Sequence, residues 1–330
     1  MSSRGGRIAA LAVIFALPAC ATTTPLERDP SPTVEASLAG AAQWSAVVPA
    51  NWNGTLLLHS RGYSASVGAP EAAPARYRDA LLAAGYALAG SNYGSGGWAL
   101  AEAVPAQERT VAAFARRYGK PTRVIGYGFS MGGLVATALA EQPHPVVDGA
   151  LSLCGSMGGS LAMMNMGLDG AFVFRTLVAP NSKIELVGMT DDRVNSARVA
   201  AVAGEAAKTP MGRARIALAA TLAGIPGWVR SQPGETPEQT LERQFAALAG
   251  SSPAGVFLPR AEQQQRAGGN FSWNDGVDYG ALLAASGREA FVKHFYDLAG
   301  LDLSADMALL ARTPRVAATK SATATWRRTI

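Results

Sequence analysis

Gly128-Phe129-Ser130-Met131-Gly132 holds the best-placed nucleophile of the chain. A serine hydroxyl attacks a carbonyl only when it is lifted into the open and given a base and an oxyanion site. Glycines two residues either side of Ser130 remove the side chains that would collide in so tight a turn. A short apolar run, 123–127, precedes the turn, and a helix-like segment, 133–140, follows it. Spacing of this kind also occurs in ordinary Gly-rich turns, but a serine at the apex of strand, sharp turn and helix is the context that gives it meaning. The start of the helix places the Met131 N–H where it can hold a developing oxyanion.

The surrounding elements must carry that turn. Strands are expected at 45–49, 55–59, 86–90, 123–127 and 148–153, with a sixth at 183–188. The run 55–59 is apolar without alternation, as in a strand buried on both faces. Helical spacing covers 74–84, with Pro74 suited to a first helical position, and 106–118. Strand–helix alternation implies an α/β fold, a parallel sheet with helices on both faces. Ligands then bind beyond the carboxyl ends of the strands, where Ser130 sits. After residue 190 the pattern turns helical: 194–207, 213–223, 237–248, 259–266, 278–285, 288–298 and 304–311, with no strand expected. The expected organisation is a signal segment at 1–19, a tether at 20–40, the α/β core at 41–193 and a mainly helical region at 194–330.

A hydrophobic content of 48% is ample for a sizeable core, and 16% charged residues exclude a disordered chain. The net charge of +5 is scattered and forms no basic stripe interleaved with aromatics, so no nucleic-acid partner is expected. Arg4 and Arg7 make a positive n-region, and 8–17 is an apolar stretch too short to span a bilayer. It ends in Leu17-Pro18-Ala19-Cys20, which resembles a bacterial lipobox. In that reading Cys20 carries a lipid and anchors the chain to an envelope membrane, the outer one in preference to the inner, facing the periplasm. The competing reading is ordinary cleavage after Ala21 and free secretion. Cys154, the second of two cysteines, lies in the apolar run 150–154 and reads as a buried small hydrophobe. No disulfide framework, metal cluster or cofactor fingerprint is present in the sequence, so no cofactor is expected.

The elbow Gly128-Phe129-Ser130-Met131-Gly132-Gly133, together with the segment Asn51-Trp52-Asn53-Gly54-Thr55-Leu56-Leu57-Leu58-His59-Ser60-Arg61-Gly62-Tyr63, resembles the α/β-hydrolase superfamily. The likeness is greatest to secreted bacterial serine esterases and peptidases with a helical cap. It covers 45–190 well and 190–330 loosely. The resemblance implies that the loop after the strand at 55–59 supplies the second oxyanion N–H, from Gly62 or Tyr63. Those enzymes carry a His-Gly pair where this chain has Arg61-Gly62, and Arg61 reads as a solvated loop residue in preference to a source of charge stabilisation. His59 reads as a structural histidine at a strand end, and 92–98 as one wall of a pocket. Trp228, Trp273, Phe257 and Phe271 are candidate pocket linings, or cap core.

The resemblance also calls for an acid and a histidine after the serine. Asp192, after the strand-like run 183–188, is the candidate acid. Of the later histidines, His144 sits between prolines in a surface turn. That leaves His294, mid-helix, as the candidate base. In capped relatives two further strand–loop units carry these groups, and this chain stops at about where the first should begin. The expectation is therefore a chain lacking its own base and the last part of the sheet, with an open sheet edge. Loss of a triad member can cost about a million-fold in rate. Two functions follow: a serine hydrolase cleaving carboxylic esters, or amides, through an acyl-Ser130 intermediate, or a catalytically incomplete envelope lipoprotein that keeps the fold as a binding or structural module.

Overall fold

The computed structural model describes residues 36–38, 42–227, 229–230, 232–257 and 259–328. The signal segment, Cys20 and Trp228 lie outside the described residues.

A six-stranded sheet positions the serine. Its strands are β1 (Ala36–Ser37), β2 (Gln43–Val47), β3 (Thr55–Ser60), β4 (Ala87–Ser91), β5 (Arg123–Phe129) and β6 (Gly149–Leu153). They lie in the order β1-β2-β4-β3-β5-β6. β4, β3, β5 and β6 run parallel, and β2 joins them antiparallel through β4. The α/β class expected from the strand–helix alternation is the class observed. β3 and β4 carry apolar side chains to both faces, as a parallel sheet covered by helices requires: Leu56 and Leu58 are buried on one, and Leu88 joins Ala72 and Ala73 on the other.

α1 (Ala75–Ala83), α2 (Leu100–Tyr118) and α3 (Met131–Ala140) flank the sheet. Pro74 caps α1 from outside rather than opening it. α2 starts six residues before the sequence pattern suggested and contains Pro105. Pro105 is the sixth residue of the helix, in its second turn, so it removes the N–H that would have donated to the Ala101 carbonyl.

A helical half follows: α4 (Gly159–Leu177), α5 (Asp192–Ala206), α6 (Pro210–Leu222), α7 (Pro237–Val256), α8 (Ala261–Ala267), α9 (Tyr279–Ala285), α10 (Glu289–Ala299), α11 (Leu303–Arg312) and α12 (Lys320–Arg328). α6 is buried nearly all round through Ile216, Ala217, Leu218, Ala219 and Ala220, and α4, α7 and α10 pack on it. Its alanines let α4 come so close that a Cβ at Gly170 would overlap Ala223. α4 ties the halves together: Met164 belongs to the core of the sheet, and Leu168 to Leu177 to that of the helices. The chain then returns to the sheet core through Phe271 and Trp326, whose rings stack 4.5 Å apart. No described helix is long and apolar enough to cross a membrane.

The strand expected at 183–188 is absent. Ile184 and Leu186 are buried as its alternation suggested, but in the helical core. Their neighbours' backbone is satisfied by side-chain amides instead of a strand. Glu185 N–H donates to Asn195 Oδ1 and Glu185 O accepts from Asn195 Nδ2, both at 2.9 Å, while Gly188 N–H donates to Gln264 Oε1 at 2.9 Å.

Candidate active site

Ser130 stands exposed between β5 and α3 with φ 55° and ψ −125°. A positive φ at a non-glycine residue costs about 1–3 kcal/mol and persists only when its surroundings enforce it. They do so here. Ser130 N–H donates to the Leu153 carbonyl at 3.0 Å, and its own carbonyl accepts from Gly133 N–H at 2.9 Å. A Cβ at Gly128 or at Gly132 would overlap the Ser60 carbonyl oxygen. Only glycine lets β3 and the turn approach this closely. Met131 is the first residue of α3, so its N–H has no intrahelical acceptor and remains available.

The loop after β3 lies against the serine. A Cβ built on Gly62 would stand 3.7 Å from Ser130 Cβ and 3.2 Å from the Phe129 carbonyl oxygen. Gly62 thus lies beside Ser130. Arg61 is not the solvated residue that the sequence suggested. Its guanidinium lies 4.6 Å over the Tyr93 ring and donates to the carbonyls of Gly62 (3.0 Å), Asn92 (3.3 Å) and Ser95 (2.5 Å). Burial lowers its pKa. Gln107 holds the strand end below, donating to His59 O at 2.6 Å and to Ser60 Oγ at 2.9 Å.

Neither the candidate acid nor the candidate base is hydrogen-bonded to Ser130 among the described residues. Among the described residues Ser130 Oγ makes no hydrogen bond to any histidine. His59 is buried, with Nδ1 3.1 Å from Glu71 O and its ring against Tyr127, and burial lowers its pKa. His144 is exposed in its turn. His294 lies on α10, edge-on to Phe295 in the helical half. Asp192 opens α5, and its carboxylate accepts from the N–H groups of Arg260 (2.8 Å) and Ala261 (3.1 Å), fixing the start of α8. The Arg260 guanidinium is buried beneath, bonded to Ser272 Oγ and the Met164 carbonyl, and desolvation brings its pKa to about 10. Cys154, expected to be buried, is an exposed free thiol with φ 51° at the end of β6. It could not sit in a core because the chain turns away from the sheet there.

The expected wall, 92–98, is fastened to the helical half. Trp98 N–H donates to Glu262 Oε2 at 3.0 Å. Arg266 pairs with Glu262 and with Glu102 Oε1 (2.7 Å), and donates to Ser95 Oγ and Gly96 O at 2.9 Å. Sequence reading missed both α8 residues, because nothing local marks a contact made across 164 residues. Tyr63 faces a cleft of about 890 Å³ bounded by Met189, Asp192, Pro259, Glu262 and Gln264. Burial, then the Glu262 and Asp192 carboxylates, raise the pKa of Tyr63. Phe257 and Phe271 are buried core aromatics rather than cleft lining, and Trp273 is half-buried. Among the described residues no cluster of three or more His, Cys, Asp or Glu side chains could hold a metal ion.

No protein-family model matches the chain. Among solved structures it is similar to an esterase from Aspergillus oryzae, with 14% identity, a TM-score of 0.36, and 89% of this chain on 61% of that one. It is also similar to the acetyl esterase MekB, with 13% identity, a TM-score of 0.29, and coverage of 82% and 91%. The chain thus spans less than two thirds of the Aspergillus enzyme. Among curated proteins, o-phthalyl amidase of Xanthobacter agilis is 30% identical over 311 residues, covering 84% of this chain and 67% of that enzyme. On that relationship the chain belongs to the hydrolase family of o-phthalyl amidase.

Proposed function

We propose that this protein is a serine hydrolase that cleaves carboxylic esters or amides through an acyl intermediate on Ser130. The observation that carries the reading is the strained, exposed Ser130 (φ 55°) with Gly62 packed directly against it. Attack by Ser130 Oγ on a substrate carbonyl would place negative charge on its oxygen. The N–H of Met131 and that of Gly62 or Tyr63 would hold it. The cleft beside Tyr63 would take the acyl or leaving group. Amide bonds enter the substrate class because the relative is named an amidase. A phthalyl-like aromatic acyl group is the first to try.

The second reading, a fold kept for binding with no catalytic engine, is favoured by one observation: Ser130 has no histidine partner among the described residues. Without a base the hydroxyl keeps the reactivity of an ordinary alcohol. Labelling of the purified chain with a fluorophosphonate probe, beside Ser130→Ala, separates the two. Labelling in the wild type that is lost in the variant supports the hydrolase, and mutation of His59 and His294 would then locate the base. A folded wild-type chain that does not label leaves the binding module.

A further inference from the structure

The loop after β3 is braced from beneath in a way that bears on the reaction. In a trans peptide the C=O and the N–H point in opposite directions, so fixing one aims the other. Tyr93 Oη donates to the Arg61 carbonyl at 3.1 Å and thereby fixes the Arg61–Gly62 peptide. The Arg61 guanidinium donates to the Gly62 carbonyl at 3.0 Å and fixes the Gly62–Tyr63 peptide. Both carbonyls are held by the strut, and that of Arg61 also lies against the turn, 2.8 Å from a Cβ built on Gly132, so the orientation of both peptides is fixed. Gly62 stands 3.7 Å from Ser130, measured from a Cβ built on it.

The strut is itself anchored. The guanidinium stacks on Tyr93 and grips the carbonyls of Asn92 and Ser95, in the loop where Tyr93 takes φ 62°. Tyr93 is 2% exposed, so it cannot swing out to release the loop. Arg61 has no carboxylate partner among the described residues, and its Nε is buried without a hydrogen bond. The hydrogen bonds that hold this half-buried guanidinium all go to backbone carbonyls.

We propose that Arg61 and Tyr93 are positioning residues that together aim the oxyanion-binding N–H groups of Gly62 and Tyr63 at the carbonyl attacked by Ser130. The proposal rests on the hydrolase reading above. Lysine would keep the charge of Arg61 but not its planar fork, which spans three carbonyls at once. Phenylalanine would keep the Tyr93 ring and the cation–π stack while removing the hydroxyl's bonds to Arg61 O and to Ser60.

The test is steady-state hydrolysis of 4-nitrophenyl acetate by the full chain, with active sites counted by fluorophosphonate titration, for wild type, Ser130→Ala, Tyr93→Phe and Arg61→Lys. Thermal unfolding is followed in parallel. Removing one oxyanion donor outright lowers kcat by about 100–1000-fold, so misaiming it is expected to lower kcat by about 10-fold or more in both strut variants. KM should stay within about twofold, because ground-state binding does not use those donors. A merely structural role would lower the melting temperature or the number of titratable sites and leave kcat per site unchanged, and that result overturns the proposal. A wild type without turnover, or Ser130→Ala with wild-type turnover, overturns the hydrolase reading and this inference with it. Full kcat per site in the strut variants beside an inactive Ser130→Ala overturns this inference alone.

Discussion

The end of the sheet around Ser130 and the helical half are held together by opposite means. At the serine, the structure depends on what is missing from side chains and on polar struts. Gly128 and Gly132 press on the Ser60 carbonyl, while Arg61, Tyr93 and Gln107 fix individual carbonyl oxygens. In the helical half, α6 is buried on an Ala-rich surface, where Gly170 and Gly212 are pressed closely on Ala223 and the Ala206 carbonyl, while surface glycines such as Gly204 and Gly250 meet nothing within 4 Å. One region specifies directions and the other fills volume. A site that must aim donors to within tenths of an ångström needs the first kind of construction. A lid or scaffold can be made by the second.

Gly132→Ala breaks this contrast most severely. Its Cβ would collide with the Ser60 carbonyl and stand 2.8 Å from that of Arg61, and neither is a flexible side-chain end. Relief requires moving β3 away from the turn, and with it the loop bearing Gly62. The expected loss is about 3 kcal/mol of stability or more, read by urea unfolding, and no fluorophosphonate labelling in whatever remains folded. A variant as stable as wild type would show that the turn is not tightly fitted.

The same contrast explains what the sequence disclosed. The elbow is local: its meaning lies in glycines two residues from Ser130 and in the elements on either side, so Ser130 and five of the strands could be read within a few residues. The helices after 190 could be read from their apolar spacing and turn residues. α4 could not, because it serves two cores and is apolar on most of its surface, which removes the amphipathic period. The segment 183–188 alternates like a strand, yet Asn195 and Gln264 satisfy its backbone, and no periodicity reports a side chain standing in for a strand. The role of Arg61 depends on carbonyls 31 and 34 residues away, and that of Glu262 on an amide 164 residues away. Neither distance leaves a trace in local spacing.

Polar burial sharpens the comparison further. In the helical half Asp169 is a buried carboxylate, accepting from Tyr279 Oη at 3.1 Å, while Asn274 Nδ2 donates to the same phenol at 2.8 Å. Desolvation raises its pKa to about 6, although the Tyr279 bond and the nearby Arg315 oppose the shift. The folded state therefore holds this proton more tightly than the unfolded chain. Its contribution to stability is fully present below about pH 4 and is lost as pH rises through about 6. An amide in place of this carboxylate would keep the acceptor without the charge. Asp169→Asn is expected to match wild type near pH 4 and to exceed it by about 1–2 kcal/mol at pH 7, after allowance for partial solvent screening. Urea unfolding at both pH values measures the difference, and a gap that does not change with pH would sink the assignment.

The gentlest test exchanges the same residue types as the harshest. Gly204 lies in α5, exposed, with helical backbone and open space where a Cβ would go. Alanine there meets no neighbour and removes the conformational freedom that glycine gives the unfolded chain. Gly204→Ala is expected to stabilise the protein by about 0.5–1 kcal/mol, a rise of about 1–2 °C in melting temperature for a chain of this size. Labelling of Ser130 should be unchanged, because α5 supplies none of the peptides that border it. The two glycine-to-alanine changes should thus differ in sign as well as size. Destabilisation at Gly204 approaching that at Gly132 would mean that the helical half is fitted as closely as the turn, and that the two regions are built alike after all.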